Sequence, residues 1–261
     1  MSDLSRANPT GRFSGLADSY AKYRPDYPPA AIAFVLSRCG LGPGSVLVDV
    51  GCGTGISSRL FAARGLAVLG VEPNDEMRRQ AEAVPSARQP APLYCKGRAE
   101  ETGLPDAAAD AVLAAQAFHW FDAGAALREF HRILKPGGWV ALLWNERDES
   151  DPFTAAYGEV IRSAPEAKAV ELPRGRAGEP LLASPLFEAG ERVCFPNSQA
   201  LDEEGMLGRA FSASYAPKEP AAAAGFADAL RAVFGRFQQQ GQVVLRYATS
   251  VYVARRAAVP A

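Results

Sequence analysis

Residues 45–55, SVLVDVGCGTG, are the most informative stretch of this chain. The first six form an apolar run without polar alternation, which is typical of a strand buried on both faces of a parallel sheet. Three glycines, Gly51, Gly53 and Gly55, follow at once, and a helical pattern begins at Ile56. Glycines at such a turn let the backbone approach a ligand closely, and the N-terminus of the next helix offers free N–H groups. We therefore predict a ligand site at the carboxyl end of this strand.

After this stretch, apolar runs alternate with helical patterns as far as residue 145. The predicted strands lie at 45–50, 67–72, 91–97, 109–116 and 138–145. The helices between them begin at Ile56, at an N-cap formed by Asn74 or Asp75, and at Ala123, and the last of these runs to Pro136. Strands that alternate with helices predict an α/β fold with a doubly wound, mostly parallel sheet.

Two helices are predicted before the first strand. The first is marked by an apolar stripe at helical spacing, formed by Phe13, Leu16, Ala17 and Tyr20 and continued by Arg24. The second opens at Pro28 and Pro29 and ends near Gly40. A short amphipathic helix outside the sheet cannot hold itself in place by propensity alone. We therefore expect residues 13–24 to be mobile without a ligand and to close over the ligand site when it is filled.

Beyond residue 145 the pattern changes. Helices are predicted at 148–164, 202–211 and 219–239, a loop at 165–186, and strands at 191–196 and 243–256. This gives about seven strands in a single domain, residues 1–261. We divide it into a helical N-terminal cover, a cofactor-binding core, lid or acceptor-side helices inserted between strands five and six, and a closing strand, at 1–40, 45–146, 147–242 and 243–256.

Composition and charge exclude several function classes. The chain has 261 residues, 28 basic and 29 acidic side chains and a formal net charge of −1, so no nucleic-acid partner is expected. No apolar run is long enough to span a membrane, and the N-terminus lacks the apolar core of a signal peptide. Four scattered cysteines and two histidines predict neither a disulfide framework nor a metal site. We expect a cytoplasmic protein, bacterial from its many Ala and Arg residues, without a membrane partner, as a monomer or homodimer.

Two acidic residues discriminate between candidate cofactors. A dinucleotide fingerprint has glycines at positions one, three and six, but the sixth position here is Ile56. Asp49 stands two residues before Gly51, where a carboxylate suits a cationic amine or sulfonium better than a pyrophosphate. Glu72 ends the second strand, where a carboxylate can accept hydrogen bonds from both hydroxyls of a ribose. A nicotinamide-dependent oxidoreductase therefore stays as the less favoured alternative.

Several motifs together resemble a known family. VLVDVGCGTG (46–55), VEPN (71–74), RAEETGLP (98–105) and RILKPGGWVALLWN (132–145) look like the class I S-adenosylmethionine-dependent methyltransferases. FSGLADSYAKYRPDYP (13–28) and AQAFHWFD (115–122) are similar to a small-molecule group within it, the trans-aconitate methyltransferases and related bacterial proteins. The resemblance implies S-adenosyl-L-methionine as the cofactor. It also implies the sheet order 3-2-1-4-5-7-6, in which 243–254 forms the reversed strand.

The resemblance also implies which residues surround the cofactor. It assigns Asp49, Gly51, Cys52 and Gly53 to the methionine part, with Gly55 in the same turn; Glu72 to the ribose; Pro73, Met77, Ala99 and Glu100 to the adenine; and Gln116 and Ala117 to the amino acid portion. Tyr20 and Arg24 would cover the cofactor, and Arg24 could clamp its carboxylate through two hydrogen bonds.

Two residues after strand four are candidates for the acceptor side. His119 could act as a general base, because an unperturbed pKa of about 6.5 suits proton transfer. Trp120 could wall the acceptor pocket or offer a π face to the sulfonium. The other interpretation is a structural corner that packs AFHWF against the following helix. We expect methyl transfer to an oxygen, carboxylate or hydroxyl, of a small-molecule acceptor; a non-catalytic protein that binds the cofactor is the alternative from another class.

Overall fold

The computed structural model describes residues 15, 17–85, 90–167 and 176–258. Its strands are β1 Val46–Val50, β2 Ala67–Val71, β3 Leu93–Cys95, β4 Ala109–Ala115, β5 Leu134–Arg147, β6 Phe187–Leu201 and β7 Val243–Arg256. They form one seven-stranded sheet in the order β3-β2-β1-β4-β5-β7-β6. The first five strands pair in parallel, and β7 runs antiparallel to β5 and β6. The predicted fold class, sheet order and reversed last strand are confirmed.

Helices cover the sheet and its carboxyl edge. Those of the described chain are α1 Ala17–Tyr23, α2 Pro29–Arg38, α3 Ile56–Ala62, α4 Asp75–Ala83, α5 Ala123–Ile133, α6 Pro152–Ser163, α7 Glu179–Ala183, α8 Glu203–Phe211 and α9 Pro220–Phe237. A single 3₁₀ turn, Phe118–Trp120, follows β4. Asn74 caps α4, because its Oδ1 accepts hydrogen bonds from the N–H groups of Glu76 and Met77, both at 3.0 Å.

The bounds of several elements differ from the prediction, and for two of them the structure shows the reason. Helix α5 ends at Ile133 and does not reach Pro136, because the next residue, Leu134, already pairs with β4, and a proline disfavours helical backbone just before it. Strand β6 spans 187–201 and not only 191–196, because it pairs with β7 along nearly its whole length. It tolerates Pro196 because it is an edge strand with one neighbour.

The predicted loop at 165–186 is only partly described. Residues 168–175 lie outside the described chain, as do Phe13 and Leu16 of the predicted N-terminal stripe. The described part contains the short helix α7, which the sequence did not predict. Its apolar residue Leu181 is buried in the core beside Phe187 at the start of β6. Burial of that one side chain is a tertiary effect that local pattern does not reveal.

The helices of residues 147–242 come from two connections. Helices α6 and α7 lie between β5 and β6, as predicted for an insertion, but α8 and α9 lie between β6 and β7. Helices α6, α8 and α9 share an apolar core with β7, which includes Phe153, Tyr157, Met206, Leu230 and Tyr247. Trp120, from the turn after β4, belongs to the same core, so these helices sit over the carboxyl end of β4. None of the described helices is long and apolar enough to cross a membrane.

Candidate active site

A cavity opens at the carboxyl ends of β1, β2 and β4, where the sequence predicts a ligand. Its empty space, including the open mouth, is about 1080 Å³. All predicted site residues except Asp49, Gly55 and His119 line it. The structure therefore brings together residues from α1, from the turn after β1, from the end of β2, and from the segment after β4.

Two of the three glycines are required by packing inside the protein. Gly51 and Gly55 have positive φ values of 69° and 77°, a region that favours glycine. A Cβ on Gly51 would lie 2.8 Å from Ala117 Cβ and 3.0 Å from Phe121 Cζ. A Cβ on Gly55 would overlap the hydroxyl of Tyr94. These glycines let the turn pack against β3 and against the segment after β4.

Gly53 differs from the other two. Its φ is 55°, but a Cβ there would meet no protein atom within 4 Å, and the residue lines the cavity. Its missing side chain therefore leaves room for a ligand. The neighbouring Cys52 also lines the cavity, and burial raises the pKa of its thiol, so it lacks the thiolate character of a nucleophile.

Glu72 connects the glycine turn to the start of α4. It is 7 % exposed, and its Oε2 accepts a hydrogen bond from the Gly53 N–H at 2.9 Å. Its Oε1 accepts one from the Asn74 N–H at 2.8 Å. Burial raises the pKa of Glu72, and the two N–H donors oppose that shift. Each carboxylate oxygen keeps a second lone pair, so Glu72 can still accept from a diol in the cavity.

Asp49 lies beneath the turn and not on the cavity wall. It is fully buried, and the hydroxyls of Ser57 and Ser58 donate to its Oδ2 at 2.7 and 2.6 Å. Its Oδ1 has no hydrogen-bond partner within the described part of the chain. Burial raises the pKa of Asp49 to about 6. Asp49 does not line the cavity itself, but Ser57, which donates to it, does. The predicted contact of Asp49 with the methionine part stays a prediction.

The raised pKa of Asp49 makes a prediction about stability. The unfolded chain has an Asp pKa of about 3.9, so between pH 4 and 6 the folded protein holds more protons and its stability falls as the pH rises. Asp49→Asn removes the buried charge. We expect the variant to gain about 1–3 kcal/mol in unfolding free energy at pH 7.5, and almost nothing at pH 4.

Urea unfolding at several pH values measures this difference. Asp228→Asn, at an exposed position on α9, is the control and should give the same small difference at every pH. A wild type more stable than Asp49→Asn at pH 7.5 would mean that the charged carboxylate stabilises the fold.

Gln116 carries backbone strain into the cavity. Its φ is 57°, which an L-residue other than glycine rarely adopts. The conformation is held because the Gln116 N–H donates to the Leu143 carbonyl at 2.8 Å and its Nε2 donates to the Asn145 carbonyl at 3.4 Å. Such strain costs about 1–3 kcal/mol and clusters at functional sites. Gln116 and Ala117 thereby line the cavity at the end of β4.

The structure does not place His119 on the cavity wall, and its predicted role as a general base stays a prediction. His119 is 9 % exposed, and the Trp144 indole N–H donates to its Nδ1 at 3.3 Å. The nitrogen that would accept a proton is therefore already occupied, and the ring packs beside Trp120 at 4.9 Å between centroids. This packing favours the structural-corner interpretation of His119. Trp120, in contrast, does line the cavity.

Helix α1 packs on α8 and brings Tyr20 and Arg24 to the cavity. The Arg24 guanidinium donates to Ser212 Oγ at 3.1 Å and to the Ser212 carbonyl at 3.0 Å, and it stacks 4.6 Å from the Tyr20 ring centroid. The Tyr23 ring fills the space where Gly208 has no side chain. No residue of α1 is fully buried, so its local stability is low. Closure of this helix on ligand binding stays a prediction.

Residues after β3 form the remaining wall beside Glu72. Ala99, Pro73 and Met77 give an apolar surface, and Glu100 lines the cavity while Glu101 does not. Glu100 is held in place because its Oε1 accepts from the Asp122 N–H at 3.0 Å. A flat apolar surface with one carboxylate at its edge fits an adenine ring with its amino group.

Sequence reasoning missed several lining residues, of which Arg209 on α8 matters most. Arg209 is 8 % exposed and lies on the cavity wall. It lies on the buried face of α8, together with Met206 and Ala210. A charged residue on an apolar helix face was the signal that could have found it. Ile56, Ser57, Arg98 and Phe121 also line the cavity and were not predicted.

The residues present fit S-adenosylmethionine on two observations. The buried Asp49 Oδ1 has no partner within the described residues, as expected for a carboxylate placed near a cationic ligand. Gly53 leaves a space that a Cβ would enter, beside a carboxylate with free acceptor capacity. A pyrophosphate would instead meet the Ile56 side chain and two nearby carboxylates.

Comparison with known proteins agrees with this geometry. Residues 48–142 match the family described as "Methyltransferase domain". An uncharacterized methyltransferase of Mycobacterium bovis is 38 % identical over 157 residues, which are 60 % of this chain and 61 % of that protein. A malonyl-[acyl-carrier protein] O-methyltransferase of Serratia marcescens is 34 % identical over 147 residues, 52 % of this chain and 55 % of that protein. This chain thus spans about three fifths or less of the length of these relatives.

A solved structure extends the likeness over nearly the whole chain. It is a candidate type II methyltransferase from Anaeromyxobacter dehalogenans, with a TM-score of 0.61 and 27 % sequence identity. The alignment covers 92 % of this chain and 100 % of that one. The architecture that the two proteins share therefore extends beyond residues 48–142.

Proposed function

We propose that this chain is a class I S-adenosylmethionine-dependent methyltransferase, which transfers the methyl group of S-adenosyl-L-methionine to an oxygen atom of a small-molecule acceptor. One observation carries the proposal: a single cavity runs from Glu72, which suits a ribose, to Trp120 and Arg209, which suit an acceptor. The helices between residues 147 and 242 form the acceptor side.

Residues at the carboxyl ends of three strands would hold the cofactor. Glu72 would accept from the ribose hydroxyls, with its orientation fixed by the Gly53 and Asn74 N–H groups. Pro73, Met77, Ala99 and Glu100 would hold the adenine, while Gln116, Ala117, Tyr20 and Arg24 would surround the amino acid part. The charge of the site also suits the cofactor. The buried carboxylate of Asp49 lies beneath the glycine turn, where its negative charge would attract the positively charged sulfonium.

The bound cofactor supplies an electrophilic methyl group on a positively charged sulfur. The chain's own contribution is positioning and exclusion of water. Trp120 and Phe121 wall the cavity with aromatic surface, and Trp120 is only 7 % exposed. Tyr20 of helix α1 and Arg24, just after that helix, line the cavity and would cover the bound cofactor.

A carboxylate oxygen suits this cavity better than a hydroxyl. A hydroxyl must lose its proton during transfer, but no histidine lines the cavity in the described chain, and the Nδ1 of His119 already accepts from Trp144. A carboxylate needs no base. The Serratia relative's name, an O-methyltransferase of a malonyl group, supports an oxygen acceptor as well. The hydroxyl acceptor stays as the second possibility.

Calorimetry tests the cofactor assignment. We expect S-adenosylmethionine and S-adenosylhomocysteine to bind with micromolar dissociation constants and NAD or NADP to give no heat, because Ile56 and the nearby carboxylates disfavour a pyrophosphate. Binding of NAD alone would favour the oxidoreductase alternative.

An acceptor screen with labelled cofactor, including small carboxylic acids and phenols, then tests methyl transfer. Cofactor binding together with a cavity that admits no acceptor would favour the non-catalytic alternative.

A further inference from the structure

Arg209 is a buried cation that the cofactor contacts leave unused. It is 8 % exposed and lies on the cavity wall. Its Nε donates to the Tyr247 hydroxyl at 3.2 Å. Within the described residues this is its only side-chain hydrogen bond, and no carboxylate lies within ion-pair distance. A guanidinium has five N–H donors and stays protonated, so most of its hydrogen-bonding capacity is available to a ligand.

Phenol groups surround this cation. Tyr157, Tyr215 and Tyr247 interact electrostatically with Arg209. The Tyr157 hydroxyl is buried and has no hydrogen-bond partner in the described part of the protein. Tyr247 is fixed from the other side, since its hydroxyl donates to Gln199 Oε1 at 3.3 Å. A buried charge without a counter-ion is costly, so a fold that keeps one is expected to use it for an anionic ligand.

The sheet order places Arg209 away from the ribose end of the cavity. Glu72 follows β2, and Gln116 follows β4, whereas Tyr247 lies on β7, beyond β5. Arg209 bonds to Tyr247, and Trp120 shares the apolar core of these tyrosines. A cofactor bound from Glu72 to Gln116 therefore leaves Arg209 facing the space beyond the methyl group, where the acceptor enters.

We propose that Arg209, held in place by Tyr247, forms a subsite that anchors a carboxylate group of the acceptor, separate from the oxygen that is methylated. That the bound anion is a methyl acceptor rests on the proposed function, whereas the anion subsite rests on the burial and contacts of Arg209. A carboxylate held by a guanidinium gives its lone pairs to N–H groups and is a poor nucleophile. The acceptor therefore carries a second oxygen group that remains free to react. Arg209 sets which acceptors are taken and how they are oriented, and Tyr247 is a positioning residue.

The binding test uses matched pairs of acids and amides. Succinate, glutarate and benzoate, with succinamide, glutaramide and benzamide, are titrated by calorimetry into protein saturated with S-adenosylhomocysteine. We expect at least one acid to bind tenfold or more tightly than its amide. Arg209→Gln should weaken binding of that acid by about 30-fold or more, to the affinity of its amide, because the substitution removes charge-assisted hydrogen bonds. Arg231→Gln, at an exposed ion pair on α9, is the matched control and should change nothing.

Folding of the variants is checked by thermal unfolding. Arg209 has no counter-ion in the described chain, so Arg209→Gln should fold without loss of melting temperature. Arg209→Lys keeps the positive charge but loses the planar guanidinium group. It should therefore weaken binding of the acid by about tenfold and leave binding of the amide unchanged. This second variant carries the test if the first fails to fold.

Two results would overturn the subsite. The first is a wild type that binds no acid more tightly than its amide. The second is an Arg209→Gln variant that loses affinity for S-adenosylhomocysteine by tenfold while acid binding is unchanged, which would assign Arg209 to the cofactor's carboxylate. Failure of the proposed function looks different: S-adenosylhomocysteine would not bind wild type, while acids titrated alone would still bind and still depend on Arg209.

Discussion

Replacing Glu72 by glutamine is expected to weaken S-adenosylhomocysteine binding by about 100-fold or more and to lower the unfolding free energy by about 1–3 kcal/mol. Both oxygens of Glu72 accept from backbone N–H groups, of Gly53 and Asn74. A glutamine must turn its NH₂ group toward one of these donors, which leaves that N–H buried without an acceptor. The same change removes the charged acceptor for the ribose. Glutamine is therefore not a conservative replacement here.

Calorimetry with S-adenosylhomocysteine and urea unfolding measure the two effects separately. Glu82→Gln is the matched control: it makes the same chemical change on α4 at a half-exposed residue that pairs with Arg78, so it should alter neither quantity appreciably. A Glu72→Gln variant that loses stability but binds normally would show that Glu72 only supports the turn. The ribose contact would then have to be sought at another residue.

The parts of the site that the sequence predicted are those encoded by neighbouring residues. The apolar run before Gly51 is typical of a buried strand, and that strand places Asp49, the acid next to its last residue. The start of α4 is also encoded by neighbouring residues, because Asn74 directly follows VEP and its side chain caps the helix. Such features depend on contacts over a few residues, which a sequence displays directly.

The parts that the sequence did not predict depend on distant contacts. The orientation of His119 is set by Trp144 on β5, 25 positions away along the chain. Arg209 becomes a cavity residue only because α8 packs on α1 and its side chain meets Tyr247 on β7. The full length of β6 results from its pairing with β7, and the sequence of β6 alone does not predict that pairing. Of these three features, only Arg209 leaves a trace in the sequence, as a charged residue on an otherwise apolar helix face.

Gly51→Ala and Gly53→Ala are expected to fail in different ways, although both put a methyl group at positive φ. That conformation costs about 1–2 kcal/mol in each variant. In Gly51→Ala the new Cβ also meets Ala117 and Phe121 at 2.8 and 3.0 Å, and overpacking adds about 1–3 kcal/mol. We expect Gly51→Ala to lose about 2–5 kcal/mol of unfolding free energy, a large share of the stability of an average domain.

Gly53→Ala meets no protein atom within 4 Å, so its unfolding free energy should fall by only the conformational cost of about 1–2 kcal/mol. Its Cβ instead enters the cavity beside the Gly53 N–H that donates to Glu72, where the cofactor would lie. Binding of S-adenosylhomocysteine should therefore weaken about 10- to 100-fold, because the ligand must move away from the methyl group. Gly235→Ala, at a position in α9 that is likewise open but far from the cavity, is the control and should leave binding unchanged. If Gly53→Ala bound as tightly as wild type, the cofactor would have to pass the turn without close backbone contact. The glycine would then serve only the shape of the turn, as Gly51 and Gly55 do.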